Sequence, residues 1–229
     1  MPLISAELRW FTEAAPPAEA SAVEAFAAWF RAGAAPPGGG HERIDEYLLD
    51  RSTLELGVKR RGSDEGVEVK SLVDDAFLSV QIAGRPATAQ LWTKVASRAL
   101  ALPADAAARR AVGKTRWLRK FAVSGGIARE IALGGGATGE EPSGEGRAPD
   151  VGCNVEWTRI EVRGGPESSS WCTFGLEAFA FRTADRRASL RETLAATLAA
   201  LASKTPAMPP LDARWRELGY PAWLRDHVR

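Results

Sequence analysis

Several segments of this chain alternate apolar and charged residues with a period of two, and this alternation is the strongest constraint on its fold. The stretch LELGVKRRGSDEGVEVK, residues 54–70, shows the pattern twice, with a polar, glycine-containing turn in between. Its first arm places Leu56 and Val58 on one face and Lys59 and Arg61 on the other. Because neighbouring side chains of a strand point to opposite faces, the pattern predicts a hairpin with one apolar and one charged face.

Most of the remaining chain also has the character of strands or of helices near its two ends. We predict strands over residues 3–11, 43–61, 67–73, 77–82, 89–97, 114–123, 153–164 and 170–182. Two S-x-x-E capping boxes, beginning at Ser21 and Ser189, predict the starts of two helices. About eight strands with helices near both ends indicate an α+β fold dominated by one antiparallel sheet.

Three further segments complete the expected organisation. We predict a short helix over residues 103–112 and a mobile loop over the low-complexity residues 134–150. Residues 189–229 are expected to form a C-terminal helical segment that packs on the sheet. A chain of 229 residues can bury the core of one large barrel, so we expect a single domain over residues 1–229.

The overall composition excludes several classes of function. The net charge is +1, so we expect neither a duplex nucleic acid nor an acidic membrane as a partner. No run approaches the roughly 18 consecutive apolar residues of a membrane-spanning helix, which favours a cytoplasmic protein. The two cysteines, Cys153 and Cys172, cannot form a four-cysteine zinc site, and their expected register in the last hairpin does not favour a disulfide.

The charged faces of the separate strands allow two interpretations. Each face alone is typical of a sheet whose polar side is in contact with water. The set as a whole favours a barrel with its charged faces turned inward, where the charges converge. The residues in question are Ser5, Glu7, Arg9, Lys59, Arg61, Glu68, Lys70, Lys114, Arg116, Arg159, Glu161 and Glu177. In a water-filled interior, lysine and arginine suit phosphate oxygens, and glutamates suit Mg²⁺ or Mn²⁺.

The motifs that carry these residues resemble those of a known superfamily. RIDEYLLDRSTLELGVKRRGSDEGVEVKSL, residues 43–72, is similar to the core signature of CYTH proteins, the triphosphate tunnel metalloenzymes, with Tyr47, Lys59, Arg61 and Lys70 at the signature positions. GKTRWLRKF resembles the later basic strand of that superfamily, and WTRIEVRG with WCTFGLEAF resembles its terminal hairpin. The resemblance extends over roughly residues 3–182.

The resemblance implies a fold and a set of roles. It implies an antiparallel eight-stranded β-tunnel, a CYTH-like barrel, with flanking and C-terminal helices, which binds a triphosphate-containing small molecule or nucleotide. A metal-dependent phosphohydrolase of this kind would use Glu7, Glu177 and Lys70 in catalysis and would hold Mg²⁺ or Mn²⁺ on Glu7, Glu161 and Glu177. The residues expected to bind the substrate are Arg9, Lys59, Arg61, Lys70, Lys114, Arg116 and Arg159.

Two departures from the superfamily pattern leave alternatives open. The opening Glu-x-Glu-x-Lys motif is replaced by Ser5, Glu7 and Arg9, and the Glu-x-Glu motif of the last strand ends in Phe179. Two metal-binding carboxylates are therefore missing. One alternative is the same barrel as a non-catalytic module that binds a phosphate ligand or a partner. Another is a structural domain with an open sheet whose charged faces are solvated.

Overall fold

The structure is a computed structural model. It describes residues 3–14, 21–32, 40–49, 54–62, 66–105, 108–133, 149–163 and 169–228. The expected mobile loop lies outside the described residues over 134–148.

The described residues form ten strands and three helices. The strands are β1 (Leu3–Glu13), β2 (His41–Leu48), β3 (Leu56–Arg61), β4 (Val67–Ile82), β5 (Arg85–Ser97), β6 (Arg109–Ser124), β7 (Ile127–Ile131), β8 (Val151–Arg163), β9 (Ser169–Ala180) and β10 (Arg216–Glu217). The helices are α1 (Ser21–Arg31), α2 (Arg186–Ala202) and α3 (Tyr220–His227).

Eight of these strands close into an antiparallel barrel, which confirms the expected α+β barrel architecture. The order around the barrel is β1, β5, β4, β3, β2, β6, β8 and β9, and β9 returns to β1. The β1–β9 pairing that closes the barrel runs from Ser5↔Phe179 to Glu13↔Trp171. Closure gives all eight strands a neighbour on both sides, so each has one face inside the barrel and one outside.

The predicted boundaries were wrong at several places, of which three affect the architecture. Residues 43–61 form two strands, β2 and β3, which pair with each other. Residues 67–82 form the single strand β4, in which irregularities near Asp74 bend the strand without ending it. We predicted a helix over residues 103–112, but the described residues 103–105 and 108–112 do not form one. Arg109–Val112 pair with β2 instead. Strand pairing in the folded chain outweighs the helix propensity of the alanines there.

The C-terminal helices also differ in detail from the prediction. Helix α2 begins at Arg186 rather than at Ser189, because the Asp185 side chain accepts a hydrogen bond from the Ala188 backbone N–H at 3.0 Å and caps the helix. Within the described part of the chain, no helix is both long enough and apolar enough to cross a membrane.

The main hydrophobic core lies outside the barrel, under α1 and α2. Outward-facing residues such as Leu8 and Leu176 pack in one cluster with Leu194 of α2. The ring of Phe26 in α1 lies 4.9 Å from that of Phe174 and 5.4 Å from that of Trp157. Burial of these side chains supplies the hydrophobic free energy that holds the helices against the barrel.

A second hydrophobic core lies inside one end of the barrel, where α3 closes it. The inward-facing Phe11 stacks on Trp223 of α3 at 5.1 Å, and Tyr47 stacks on Tyr220 at 5.9 Å. The same cluster includes Ile160, Trp171 and Val112 from the inner faces of three further strands. The C-terminal segment therefore does more than pack on the barrel surface: its last helix fills one end of the interior.

The position of α3 gives a direct test of this arrangement. Trp223 is fully buried in the second core, so Trp223→Ala should lower the free energy of unfolding by about 3–5 kcal/mol, the range for large aromatic residues in cores. Chemical denaturation measures this change. Arg225→Ala, on the exposed side of the same helix, is the control and should change stability by less than about 0.5 kcal/mol. A Trp223→Ala variant as stable as this control would contradict the placement of α3.

Candidate functional site

The inner faces of the strands form a charged cavity of about 100 Å³ between the second core and the opposite end of the barrel. Among the described residues, eight basic side chains and four carboxylates line it, an excess of four positive charges. The basic residues are Arg9, Arg43, Lys59, Arg61, Lys70, Lys94, Lys114 and Arg116, and the acidic residues are Glu7, Glu68, Glu156 and Glu177. A cavity of this volume and polarity has room for several water molecules or a small ligand.

The floor of the cavity is the beginning of α3. Gly219, Tyr220 and Pro221 line the cavity there. The ammonium group of Lys114 lies 4.1 Å from the centre of the Tyr220 ring, and the Arg9 guanidinium carbon lies 4.9 Å from it. This ring therefore stabilises two of the buried cations through its π face.

Asp45, which is fully buried beside the cavity, holds three cations. Its carboxylate lies 3.1 Å from Lys114 Nζ, 3.3 Å from Lys59 Nζ and 3.1 Å from Arg43 Nε. Lys114 also donates a hydrogen bond of 2.6 Å to the Tyr47 hydroxyl oxygen. Burial by itself would favour the neutral acid, but the attraction of Lys114, Lys59 and Arg43 lowers the pKa of Asp45.

The two lysines beside Asp45 have lowered pKa values. Burial and the nearby charge of Lys114 lower the pKa of Lys59 to about 7, although Asp45 and Glu68 oppose this shift. Burial is also the main reason that the pKa of Lys114 falls to about 8, against the attraction of Asp45. Near neutral pH these ammonium groups thus hold their protons weakly, and an incoming anion would favour the charged forms.

Two further carboxylates each bind several cations. Glu156 accepts a hydrogen bond of 3.1 Å from Arg9, contacts Arg116, and accepts one of 3.0 Å from the Thr158 hydroxyl. Burial would raise the pKa of Glu156, but Arg116 and Arg9 lower it well below its usual value.

Glu68 is the second of these carboxylates. It lies 3.3 Å from Lys59, 3.2 Å from Arg61 and 3.9 Å from Lys94. Burial opposes ionisation here too, but the attraction of Lys59, Lys94 and Arg61 lowers the pKa of Glu68 to about 2.

Glu7 and Glu177 face each other directly across the β1–β9 pair. The Lys70 ammonium group donates a hydrogen bond to Glu7, and the Ser5 hydroxyl donates one of 2.9 Å to the same oxygen. Burial would raise the pKa of Glu177, but Lys70, followed by Lys94, lowers it. Lys70 is therefore the cation that compensates the repulsion between these two carboxylates.

The Arg9 guanidinium occupies the space that a side chain would fill at the facing residue, Gly175. A methyl group at Gly175 would lie 2.7 Å from Arg9 Cζ and 2.9 and 3.0 Å from its terminal nitrogens. Arg9 also donates a hydrogen bond of 3.3 Å to the Thr173 hydroxyl oxygen. Glycine at position 175 thus leaves room for the planar guanidinium against the strand backbone.

The carboxylates do not fit the expected metal site. Among the described residues, no three or more histidine, cysteine, aspartate or glutamate side chains are grouped so that they can hold a metal ion. Of the expected ligands, Glu7 and Glu177 line the cavity, but Glu161 is exposed on the outer face of β8. We therefore derive no chemical step through Mg²⁺ or Mn²⁺.

The structure brings most of the expected binding and catalytic residues together. Eight of them line one cavity: Glu7, Arg9, Lys59, Arg61, Lys70, Lys114, Arg116 and Glu177. Their convergence excludes the interpretation in which the charged faces of an open sheet are solvated separately. Their roles in binding and catalysis stay predictions.

Arg159 and Glu161 do not reach the cavity, so their predicted positions were wrong. Strand β8 turns its even-numbered residues inward, which places Glu156 in the cavity. Trp157 packs outside against α1, and Arg159, on the same face, binds Glu24 of that helix at 2.6 Å. The sequence prediction placed Arg159 and Glu161 inside the barrel, but α1 packs against that face of β8 in the outer core.

Sequence reasoning missed four charged residues at the site. Arg43 and Asp45 alternate along β2 with Tyr47, so the period-two pattern contains the signal for both. Lys94 follows the same alternation in β5. Glu156 was placed on the opposite face, so only the register of β8 within the barrel identifies it.

The close contact between Arg9 and Gly175 predicts a coupled effect of two substitutions. Gly175→Ala should lower the free energy of unfolding by about 1–3 kcal/mol, because the added methyl group overpacks the site. Arg9→Lys removes the planar group, so the double variant should be less destabilised than the sum of the single variants. Urea denaturation of all three variants measures the coupling. Gly66→Ala, where a methyl group makes ordinary contacts, is the control, and strictly additive effects would contradict the packing.

The lowered pKa of Lys59 predicts a pH-dependent stability. The pKa of Lys59 is about 7 in the folded protein, compared with an ordinary value of 10.5. Between these two pH values, the unfolded chain therefore binds more protons than the folded protein. The free energy of unfolding of the wild type should therefore rise with pH across this window, relative to Lys59→Met. Denaturation at pH 6, 8 and 10 measures the difference.

A second variant separates titration of Lys59 from its packing. Lys59→Arg keeps a positive charge throughout this pH range, so it should show the same shallower dependence as Lys59→Met. Equal pH dependence in the wild type and both variants would show that Lys59 does not titrate as expected.

Comparisons with known proteins leave the resemblance to CYTH proteins as an expectation. No family model matches this chain, and no curated protein matches it significantly in sequence. The case for a function therefore rests on the geometry and charge of the cavity.

Proposed function

We propose that the barrel cavity binds a triphosphate-containing small molecule. The observation that carries this proposal is the convergence of eight basic side chains in one cavity, where they exceed the four lining carboxylates and the adjacent Asp45 by three charges. The inward charged faces also support the further proposal that the barrel is a divergent CYTH-like fold.

The chemistry of the lining suits phosphate groups. Arginine presents a planar fork of donors to phosphate oxygens, and lysine supplies a compact charge. Arg9, Arg61 and Arg116 line the cavity for the first kind of contact, and Lys94, which lies 3.9 Å from Glu68, lines it for the second. The first turn of α3 also faces the cavity, where the positive end of a helix dipole favours an anion.

The charge of the cavity favours several linked phosphates over a single one. One phosphate group carries about 1.5 to 2 negative charges at pH 7. When Asp45 is counted with the four lining carboxylates and the lysines are protonated, the excess is three positive charges, which is more than one phosphate group compensates. A short chain of phosphates supplies this charge in a narrow, flexible form.

Binding is the function that the geometry supports best, and hydrolysis stays a separate prediction. Glu7, expected to be catalytic, already accepts hydrogen bonds from Lys70 and Ser5. Each of the described carboxylates that line the cavity has a basic side chain nearby, so none of these is marked as a general base. The non-catalytic alternative from the sequence therefore agrees best with the site.

Calorimetric titration with inorganic triphosphate tests the proposal. The wild type should bind, and Arg116→Met should weaken binding at least about tenfold, because it removes a charged hydrogen-bond donor. Arg159→Met is the matched control: it removes a basic residue of a neighbouring strand whose side chain lies outside the barrel. Equal loss of affinity in both variants, or absence of binding by the wild type, would contradict the proposal.

Phosphate release in the same samples tests the catalytic expectation. The substrates are inorganic triphosphate, thiamine triphosphate and nucleoside triphosphates, with and without Mg²⁺ or Mn²⁺. Glu177→Ala and Lys70→Ala are the comparison variants. Turnover by the wild type that both variants abolish would add catalysis to the proposed binding function.

A further inference from the structure

We infer that this cavity binds free triphosphate rather than its complex with a divalent cation. The inference rests on the proposed function and concerns the chemical form of the ligand. It departs from the sequence-based expectation of Mg²⁺ or Mn²⁺ on the cavity glutamates.

The first observation is that protein cations already compensate the carboxylates of the site. Glu156 is bound by Arg9 and Arg116, and Glu68 lies within 3.9 Å of three basic groups. Asp45 also binds three cations, one of which, Lys59, it shares with Glu68. A divalent cation would have to displace these groups and would face their repulsion at close range.

The second observation concerns the two positions where the sequence departs from the CYTH pattern. Ser5 and Phe179 are directly opposite each other on β1 and β9, two residue pairs beyond Glu7 and Glu177 and on the same inward face. The Phe179 ring is buried and stacks on Phe181 at 5.0 Å, while Ser5 donates its hydroxyl to Glu7. This layer of the barrel therefore offers one hydroxyl and one apolar ring, and neither supplies the anionic oxygen ligands that Mg²⁺ prefers.

The third observation is the position of Lys70. Its ammonium group binds Glu7. It is also the basic group that contributes most to lowering the pKa of Glu177. Lys70 thus supplies the positive charge that two facing carboxylates require. Because Lys70 compensates these two carboxylates, the remaining positive charge of the cavity is free to attract the negative charge of the ligand. The ligand should therefore bind without a metal ion.

Calorimetry in metal-free buffer tests the inference. Protein, ligand and buffer are passed over a chelating resin, because a soluble polycarboxylate chelator would compete for a cationic cavity. Inorganic triphosphate should bind the wild type under these conditions. Excess Mg²⁺ should weaken apparent binding at least tenfold, since it neutralises the free ligand.

Three outcomes are distinguishable. Binding that Mg²⁺ weakens supports the inference. Binding that requires Mg²⁺, or that Mg²⁺ strengthens, overturns the inference and leaves the proposed function intact. Absence of binding in both conditions overturns the proposed function and the inference with it.

Removal of the Glu7 carboxylate gives a second test, because metal-free binding and binding through a metal ion predict opposite changes in affinity. Glu7→Gln should tighten metal-free binding about threefold or more, because it releases Lys70 and raises the positive charge of the cavity. A metal ligand at this position would instead lose affinity on the same substitution. Glu24→Gln, which removes an exposed carboxylate outside the barrel, is the matched control and should leave affinity unchanged.

Direct metal binding is measured without any phosphate ligand. Titration of the wild type with Mn²⁺, followed by the electron paramagnetic resonance signal of the free ion, should show no site tighter than millimolar. The double variant Ser5→Glu, Phe179→Glu restores two carboxylates to the facing strands and should bind Mn²⁺ more tightly than the wild type. Tight binding of Mn²⁺ by the wild type would overturn the inference.

Discussion

The pairing of cations with carboxylates inside the barrel is the interaction on which the rest of the structure depends. Eight basic groups in one cavity would repel one another strongly if no anions separated them. Asp45, Glu68 and Glu156 each bind two or more of these groups, and Lys70 in turn compensates Glu7 and Glu177. The network satisfies most of the buried charge and still leaves a positive excess. That excess is the physical basis for binding a polyanion.

This polar interior requires the hydrophobic cores to lie elsewhere. The outward faces of β1 and β9 carry large apolar side chains, which α1 and α2 cover. At one end of the barrel, the inward faces become apolar, and α3 packs there against Phe11 and Trp171. The two cores hold the strands in register from both sides, so the charged side chains between them are kept close together despite their repulsion.

The sequence predicted the positions of the site residues well where one face of a strand was charged and poorly where both faces were. Lys59, Lys70 and Glu177 were placed correctly because each lies in a strand with strict alternation between faces. In β8 both faces carry charged residues, and the prediction that Arg159 and Glu161 lie on the inner face was wrong. Arg159 and Glu161 point outward because Trp157 belongs to the core under α1. The helix predicted over 103–112 failed for a related reason, since long-range pairing with β2 outweighs local propensity.

By itself, the sequence determined which residues of each strand share a face, the presence of helices near both ends and the abundance of charge on the strands. These properties follow from local backbone geometry, which repeats every two residues in a strand. Only the tertiary structure decided which face of each strand is inside, where α3 lies, and that Ser5 and Phe179 are direct neighbours. Those features depend on contacts between residues far apart in the chain. Their free energy comes from barrel closure and helix packing, which no local pattern specifies.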